Sequence, residues 1–254
     1  MNIATVQFMS QALWRQVTYT ALLPEENLVG PGPYPVLYQL HGGGQNHTAW
    51  LYCSNLARYV QDLPLIVILP DGAQSRWANG GPPFEHYEDF LVDELARHVR
   101  QTFHATSGKW AIGGNSMGGF GAVRLGLKYP NRFCSIWSHS GCFPKADSLA
   151  EHWYWSGAAD ALDCYALVDS LDPASMPRLS FDCGTDDHLL DQNRRYHAFL
   201  MERGIPHTYH EFAGGHTWDY WDARVQDALK QHIDELRLGQ HKTGTRFADN
   251  GKGR

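Results

Sequence analysis

The chain has 254 residues, 43% of them hydrophobic and 19% charged, and its formal net charge is -6 at pH 7. This length and composition suffice for one large hydrophobic core. The negative charge and the absence of a long basic run argue against a nucleic-acid-binding surface. The sequence has no run of about 18 apolar residues, so it predicts no membrane span. Its first residues lack the basic and then apolar pattern of a signal peptide. The sequence therefore favours a cytoplasmic protein without nucleic-acid or membrane partners, and it leaves formation of a homo-oligomer open.

The chain contains five cysteines, which is an odd number, and none of them lies in a C-x-x-C pair. This pattern supports neither a disulfide scaffold nor a zinc knuckle. We therefore expect the thiols to be reduced and most of them to lie in the core.

Hydrophobic patterning predicts strands that alternate with helices along most of the chain. Residues 4–22 predict an antiparallel hairpin at a sheet edge. Further strands are predicted at 36–40, 65–69, 110–112, 133–139, 179–183 and 207–212. Helices are predicted at 47–61, 85–103, 188–203 and 218–238, and directly after residue 116. This alternation predicts an α/β fold with a mostly parallel central sheet of about eight strands and helices on both faces.

Two segments depart from the alternation. Residues 142–177 contain three successive aromatic residues and three prolines but no clear strand. A connection of this length favours a small cap insertion over a plain loop. Residues 239–254 are polar and aperiodic, which predicts a disordered tail. We therefore expect a single domain over residues 1–238, with a cap at 142–177.

The segment 109–123 carries the clearest catalytic signal, a G-x-S-x-G motif between a short apolar strand and a helix start. A sharp strand-to-helix turn forces the central serine into strained backbone angles, so that glycine is favoured two residues before and two residues after it. The turn presents the serine hydroxyl at the top of the sheet. This pattern predicts that Ser116 is a nucleophile.

A serine nucleophile needs a base, and the base needs an acid that orients it. His216 follows the last predicted strand and two glycines, which let an imidazole reach the serine. Asp186 and Asp187 follow the strand before it, and spacing alone does not separate them. The chain order of serine, aspartate and histidine is the order expected of an α/β-hydrolase.

An oxyanion hole needs two preorganised N–H donors. Met117, directly after the serine, can supply one of them. The loop of His41, Gly42, Gly43 and Gly44 follows an early strand and can supply the other. This loop matches neither the dinucleotide-binding fingerprint nor the P-loop. No spacing supports a metal site at the nearby histidines, and we expect no metal or organic cofactor.

Four motifs together carry a family resemblance: His41–Gly44, Gly114–Ala122, Cys183–Asp187 and Gly215–Trp221. They resemble the esterase family that includes tributyrin esterases, S-formylglutathione hydrolases, feruloyl esterases and mycolyltransferases. The resemblance spans residues 10–238 and implies an α/β-hydrolase fold. It also implies that the acid is Asp187, which lies three residues after the loop glycine.

These observations predict a serine carboxylesterase that hydrolyses short acyl esters through Ser116, His216 and Asp187. Gly43 and Met117 are the expected oxyanion donors. The expected substrate contacts are Gly42, Trp77, Trp153, Trp155 and Trp218. An S-formylglutathione hydrolase and a feruloyl or acetyl-xylan esterase remain alternatives with the same triad. A non-enzymatic binding module is disfavoured because every triad position is filled.

Overall fold

Eight strands form one central sheet in the computed structural model, which describes residues 1–80, 85–144 and 162–238. The strands are β1 (Asn2–Ser10), β2 (Arg15–Leu23), β3 (Val36–Leu40), β4 (Ile66–Pro70), β5 (Trp110–Asn115), β6 (Phe133–His139), β7 (Arg178–Gly184) and β8 (Thr208–Phe212). Their order across the sheet is β1-β2-β4-β3-β5-β6-β7-β8. All neighbours from β4 to β8 are parallel, so the carboxyl ends of these strands meet at one edge. Ligand sites of parallel sheets lie at this edge.

The predicted edge hairpin is confirmed. The strand β1 pairs antiparallel with β2 over its whole length, from Asn2 opposite Leu23 to Ser10 opposite Arg15, and β2 pairs antiparallel with β4. The carboxylate of Glu94 supports the hairpin turn, since it accepts hydrogen bonds from Ser10 Oγ at 2.5 Å and from the Gln11 N–H at 2.7 Å.

Helices cover both faces of the sheet, as predicted. They are α1 (Glu26–Val29), α2 (Ala49–Tyr52), α3 (Leu56–Val60), α4 (Tyr87–Asp89), α5 (Ala96–Thr102), α6 (Met117–Lys128), α7 (Cys164–Asp169), α8 (Leu190–Glu202) and α9 (Trp218–Glu235), and a π-helical stretch (Phe90–Leu95) joins α4 to α5. Successive side chains of β4 alternate between two apolar layers: Ile66 and Ile68 pack in one, and Val67 packs in the other.

The helix predicted at 47–61 is in fact two short helices, α2 and α3. Two hydrogen bonds end the first and begin the second. Ser54 Oγ donates to the Trp50 carbonyl at 2.5 Å, and the Asn55 N–H donates to the Asp222 carboxylate of α9 at 2.6 Å. A side-chain partner that is distant in sequence thus takes the place of the next intrahelical bond.

The five cysteines all lie in the described part of the chain, and all are free thiols. Two of them, Cys164 and Cys183, are fully buried. Among the described residues, no helix combines the length and apolar character that crossing a membrane requires. Residues 145–161 of the expected cap and all of the expected tail at 239–254 lie outside the described residues.

Candidate active site

Ser116 lies at the sharp turn between β5 and α6 and has a φ of 53°, a value that L-residues rarely adopt. The turn is possible because both flanking positions are glycines. A Cβ on Gly114 would lie 2.6 Å from the Gly118 carbonyl carbon and 2.7 Å from the Leu40 carbonyl oxygen. The turn therefore packs directly on the backbone at the end of β3. The Ser116 N–H donates to the His139 carbonyl of β6 at 2.8 Å, which holds the turn from the other side.

His216 connects Ser116 to Asp187 through hydrogen bonds. Its Nε2 lies 3.0 Å from Ser116 Oγ, and its Nδ1 lies 2.9 Å from Asp187 Oδ2 and 3.1 Å from Oδ1. An ionised carboxylate can only accept hydrogen bonds, so the imidazole donates through Nδ1–H. Its Nε2 lone pair then faces the serine hydroxyl. This is the protonation state in which a histidine can act as a base towards serine.

The loops that carry the acid and the histidine are paired with each other. The Thr185 N–H donates to the Phe212 carbonyl at 2.8 Å, and the Asp186 N–H donates to the Gly214 carbonyl at 2.9 Å. A Cβ on Gly184 would overlap the Gly214 carbonyl, so glycine is required for this close approach. Asp186 is exposed, whereas Asp187 is 5% exposed and contacts His216. Of the two aspartates, only Asp187 is therefore oriented towards the imidazole.

The Asp187 carboxyl is held in its charged form. Burial by itself raises the pKa of this group, but hydrogen bonds from His216 and from the Leu189 N–H outweigh burial and lower the pKa below its usual value. The Leu189 N–H lies 2.8 Å from Oδ1. A charged carboxylate beside Nδ1 stabilises the imidazolium that forms when His216 accepts a proton.

The glycine loop after β3 lies against the serine turn. A Cβ on Gly42 would lie 3.3 Å from Ser116 Cβ. The Gly42 N–H donates to Gln45 Oε1 at 2.9 Å, so this amide is already occupied. The next amide, Gly43 N–H, is exposed and makes no hydrogen bond to any described residue. Gly43 thus has an amide that is available to a ligand.

The buried side chain of His41 holds the same loop in place through two hydrogen bonds. Its Nε2 accepts a hydrogen bond from the Gly72 N–H at 2.9 Å, and its Nδ1 lies 2.8 Å from the Gly42 carbonyl. The ring therefore carries its proton on Nδ1 and is neutral in this arrangement. Met117 lies on the other side of Ser116 and is the first residue of α6. The N–H groups of a first helical turn point towards the N-terminal end of the helix, which suits a developing oxyanion.

The expected role of Trp77 in substrate binding is wrong. Its side chain is 0% exposed, so a substrate has no surface of this ring to contact. The indole instead fills the space beside Gly72 and Gly121, where a Cβ on either glycine would lie within 2.6 Å of the ring. Its ring also packs edge-to-face on His41, with centroids 5.0 Å apart. Trp77 thus supports the glycine loop from within the core.

The other expected tryptophans differ in position. Trp218 is partly exposed two residues after His216, and it packs edge-to-face on Trp50 and on Trp221 at centroid distances of 5.1 and 5.2 Å. Trp153 and Trp155 lie outside the described residues.

Sequence reasoning missed a buried polar cluster behind the site, which centres on Asp182. This carboxylate accepts hydrogen bonds from Trp137 Nε1 at 2.6 Å, from His139 Nδ1 at 2.7 Å and from Tyr220 OH at 2.8 Å. The cluster ties the ends of β6 and β7 to the first turn of α9, directly after His216. The sequence signal that could have revealed this cluster is the alternation in β6. Trp137 and His139 lie at alternate positions of this strand and therefore share the face that α9 covers.

Known proteins resemble this chain in sequence and in fold. An acetyl esterase of Caldicellulosiruptor saccharolyticus is 30% identical over 259 residues, which cover 91% of this chain and 97% of the relative. The fluorophosphonate-binding serine hydrolase FphF of Staphylococcus aureus has a TM-score of 0.81 at 23% identity, over 91% of this chain and 98% of that one. An S-formylglutathione hydrolase of Agrobacterium tumefaciens has a TM-score of 0.81 at 23% identity, over 92% and 95%. These two structures share the fold.

The family described as "Putative esterase" matches residues 10–232, a range that includes the serine turn, the acid loop and the histidine loop. This match and the similarity to the acetyl esterase confirm the resemblance inferred from the four motifs. The chain therefore belongs to this family of esterases, and its sheet and helices form an α/β-hydrolase fold.

Proposed function

We propose that this protein is a carboxylesterase for short acyl groups, with Ser116, His216 and Asp187 as its catalytic triad. The observation that carries the proposal is the unbroken hydrogen-bonded chain from Ser116 Oγ to His216 Nε2 at 3.0 Å and from His216 Nδ1 to Asp187 at 2.9 Å. A strained serine at the carboxyl edge of a parallel sheet, in line with a base and a buried acid, is suited to nucleophilic acyl transfer.

The reaction follows from this geometry. His216 takes the Ser116 proton as the serine oxygen attacks the ester carbonyl, and it gives that proton to the leaving alcohol. Asp187 keeps Nδ1 protonated and stabilises the imidazolium. The N–H groups of Gly43 and Met117 donate to the tetrahedral oxyanion. A water molecule, deprotonated by His216, then attacks the acyl-enzyme and releases the acid.

Two observations support a preference for short acyl groups. The relative with 30% identity is named an acetyl esterase. The small Gly42 lies against Ser116, and the partly exposed Trp218 follows His216 by two residues. We expect these residues to limit the space for a long acyl chain, and we therefore propose that acetyl to butyryl esters are the preferred substrates.

We also propose that residues 142–177 form a cap on a single domain of residues 1–238. Support comes from the described ends of the segment. Phe143 stacks on Tyr196 of α8 at a centroid distance of 4.4 Å, and Tyr165 packs edge-to-face on the same ring at 5.1 Å. Both ends thus pack on α8, the helix that follows the Asp187 loop.

Covalent labelling and one substitution test the nucleophile. A fluorophosphonate probe is expected to label the wild type and not Ser116→Ala, and this variant is expected to lose a factor on the order of 10⁴ to 10⁶ in turnover. Ser170→Ala, which changes an exposed serine at the end of α7, is the matched control and is expected to be labelled normally. Labelling of Ser116→Ala, or more than a tenth of the wild-type rate in that variant, would contradict the assignment.

A substrate panel tests the acyl preference and its alternatives. We expect p-nitrophenyl acetate and butyrate to be hydrolysed with a higher kcat/KM than esters of about ten carbons or more, because we expect the residues near the triad to limit the space for a longer chain. S-formylglutathione and methyl ferulate belong in the same panel. A higher kcat/KM for either of these two, or a rate that rises with chain length, would overturn the proposed preference.

A further inference from the structure

A second imidazole lies beside the proposed triad. His188 follows Asp187 in the loop between β7 and α8, and its side chain is 69% exposed. Its Nδ1 lies 3.6 Å from Asp187 Oδ1, and its ring packs edge-to-face on His216 with centroids 4.6 Å apart. The ester hydrolysis proposed above uses no group of this side chain.

Asp187, His188 and His216 bring one oxygen and two nitrogen ligand atoms together. One such atom from each residue lies within 4.8 Å of the others, and no other group of this kind occurs in residues 1–80, 85–144 and 162–238. Zinc binds His nitrogen and carboxylate oxygen at about 2.0–2.2 Å, so tetrahedral ligands lie about 3.3 Å apart. The Asp187 Oδ1 atom is 3.1 Å from His216 Nδ1 and 3.6 Å from His188 Nδ1. Both separations are close to the tetrahedral value.

We propose that Asp187, His188 and His216 bind a divalent transition-metal ion such as Zn²⁺ and that the bound ion inhibits the esterase. The inhibition rests on the proposed function, whereas the binding does not. The exposed His188 ring can rotate to close the remaining distance, and it leaves the fourth position of the ion open to water. Two imidazoles favour Zn²⁺ over Mg²⁺ and Ca²⁺, which prefer oxygen ligands.

Inhibition follows from the two nitrogens of His216. In the active arrangement Nδ1 carries the proton and Nε2 accepts the Ser116 proton. A metal ion on Nδ1 binds the lone pair of that nitrogen, so the single proton of the neutral ring moves from Nδ1 to Nε2 by exchange with solvent, and no net proton is released. That nitrogen can donate to Ser116 Oγ but can no longer accept from it. The ion also takes the Asp187 oxygen that stabilises the imidazolium, so the base is lost.

The inhibition test compares zinc titrations of p-nitrophenyl acetate hydrolysis in a buffer that does not chelate metal. We expect micromolar ZnCl₂ to inhibit the wild type, MgCl₂ to have no effect, and excess EDTA to restore the rate. Without zinc, His188→Asn is expected to stay within about threefold of the wild-type rate, as for a surface substitution. Because His188→Asn lacks one of the metal ligands, its half-inhibitory zinc concentration is expected to be about tenfold to a hundredfold higher than that of the wild type.

His210→Asn removes an exposed histidine on β8 and is the matched control, with inhibition expected to equal that of the wild type. Equal zinc sensitivity of His188→Asn and the wild type would overturn the site, and so would an uninhibited wild type. Calorimetric titration of Ser116→Ala with ZnCl₂ tests binding without turnover. Binding of one ion by Ser116→Ala, and loss of that binding in the double variant Ser116→Ala/His188→Asn, would support the site even if no ester is hydrolysed. Absence of binding to Ser116→Ala would overturn the site.

Discussion

Asp186 and Asp187 are neighbours in one loop, but only one of them contacts the histidine. Asp187 is buried and hydrogen-bonded to His216, while Asp186 is exposed and its N–H pairs with the Gly214 carbonyl. A buried carboxylate beside an imidazole interacts with it far more strongly than a solvated carboxylate at a distance, because water screens the second interaction. The two positions therefore form a matched pair for measuring what the acid contributes.

We expect Asp187→Asn to lower turnover of a short ester by about 10² to 10⁴, because the variant keeps the shape but removes the charge that stabilises the imidazolium. Asp186→Asn is expected to lower turnover by less than about tenfold. The measurement is kcat of both variants at neutral pH on p-nitrophenyl acetate, with circular dichroism as the check on folding. A large loss of kcat in Asp186→Asn together with a nearly normal kcat in Asp187→Asn would reverse the assignment of the acid.

The contact between helix α6 and strand β3 sets the distance between the two proposed oxyanion donors. Gly118, in the first turn of α6, packs on the carbonyl groups of Leu40 and His41. A Cβ on this glycine would overlap the Leu40 carbonyl and lie 2.7 Å from the His41 carbonyl oxygen. Any larger residue at this position must therefore push α6 away from β3. The same movement would increase the distance between Met117 at the start of α6 and Gly43 in the loop after β3.

We expect Gly118→Ala to lower both stability and activity. Overpacking of this kind costs about 1–3 kcal/mol in the free energy of unfolding, and movement of Met117 weakens the oxyanion hole. The measurements are urea unfolding and kcat on p-nitrophenyl acetate. Gly108→Ala is the matched control, because a Cβ there meets nothing closer than Thr106 Oγ1 at 3.6 Å. Wild-type stability and activity in Gly118→Ala would show that the contact is not required.

Across the whole molecule, a polar layer connects the sheet to α9 on the face behind the site. His232 of α9 is fully buried within it, and its Nδ1 lies 2.8 Å from Ser135 Oγ of β6. Burial, together with a smaller contribution from the nearby His139, lowers the pKa of His232 to about 3. The folded protein therefore keeps this ring neutral where the unfolded chain would protonate it.

This shift predicts a loss of stability in mild acid. The unfolded chain binds more protons than the folded chain between the ordinary pKa of 6.5 and about 3, so the free energy of unfolding falls as the pH falls through this window. The loss from this group is about 2 kcal/mol between pH 7 and pH 5. We expect His232→Gln to remove that part of the pH dependence in urea unfolding, while His210→Gln, at an exposed position, is the control. An unchanged slope in His232→Gln would contradict the prediction.

The sequence by itself determined the features that depend on neighbouring residues. The serine turn is readable because the steric rule acts within five residues, and Gly114 and Gly118 satisfy it. The strands and most helices are readable because burial repeats with a regular period along the chain. The positions of His216 and of the glycine loop follow from their places after predicted strands, since parallel strands bring their carboxyl ends to one edge.

The tertiary structure decided the features that depend on residues far apart in the chain. The choice of Asp187 over Asp186 needed either the family resemblance or the pairing of two loops, because spacing alone fits both. The burial of Trp77 was not readable, since its neighbours Gly72 and Gly121 approach it from separate segments. The break in the helix at 47–61 depends on Asp222, which lies 167 residues from Asn55. Such contacts leave no local period in the sequence, so only the folded chain reveals them.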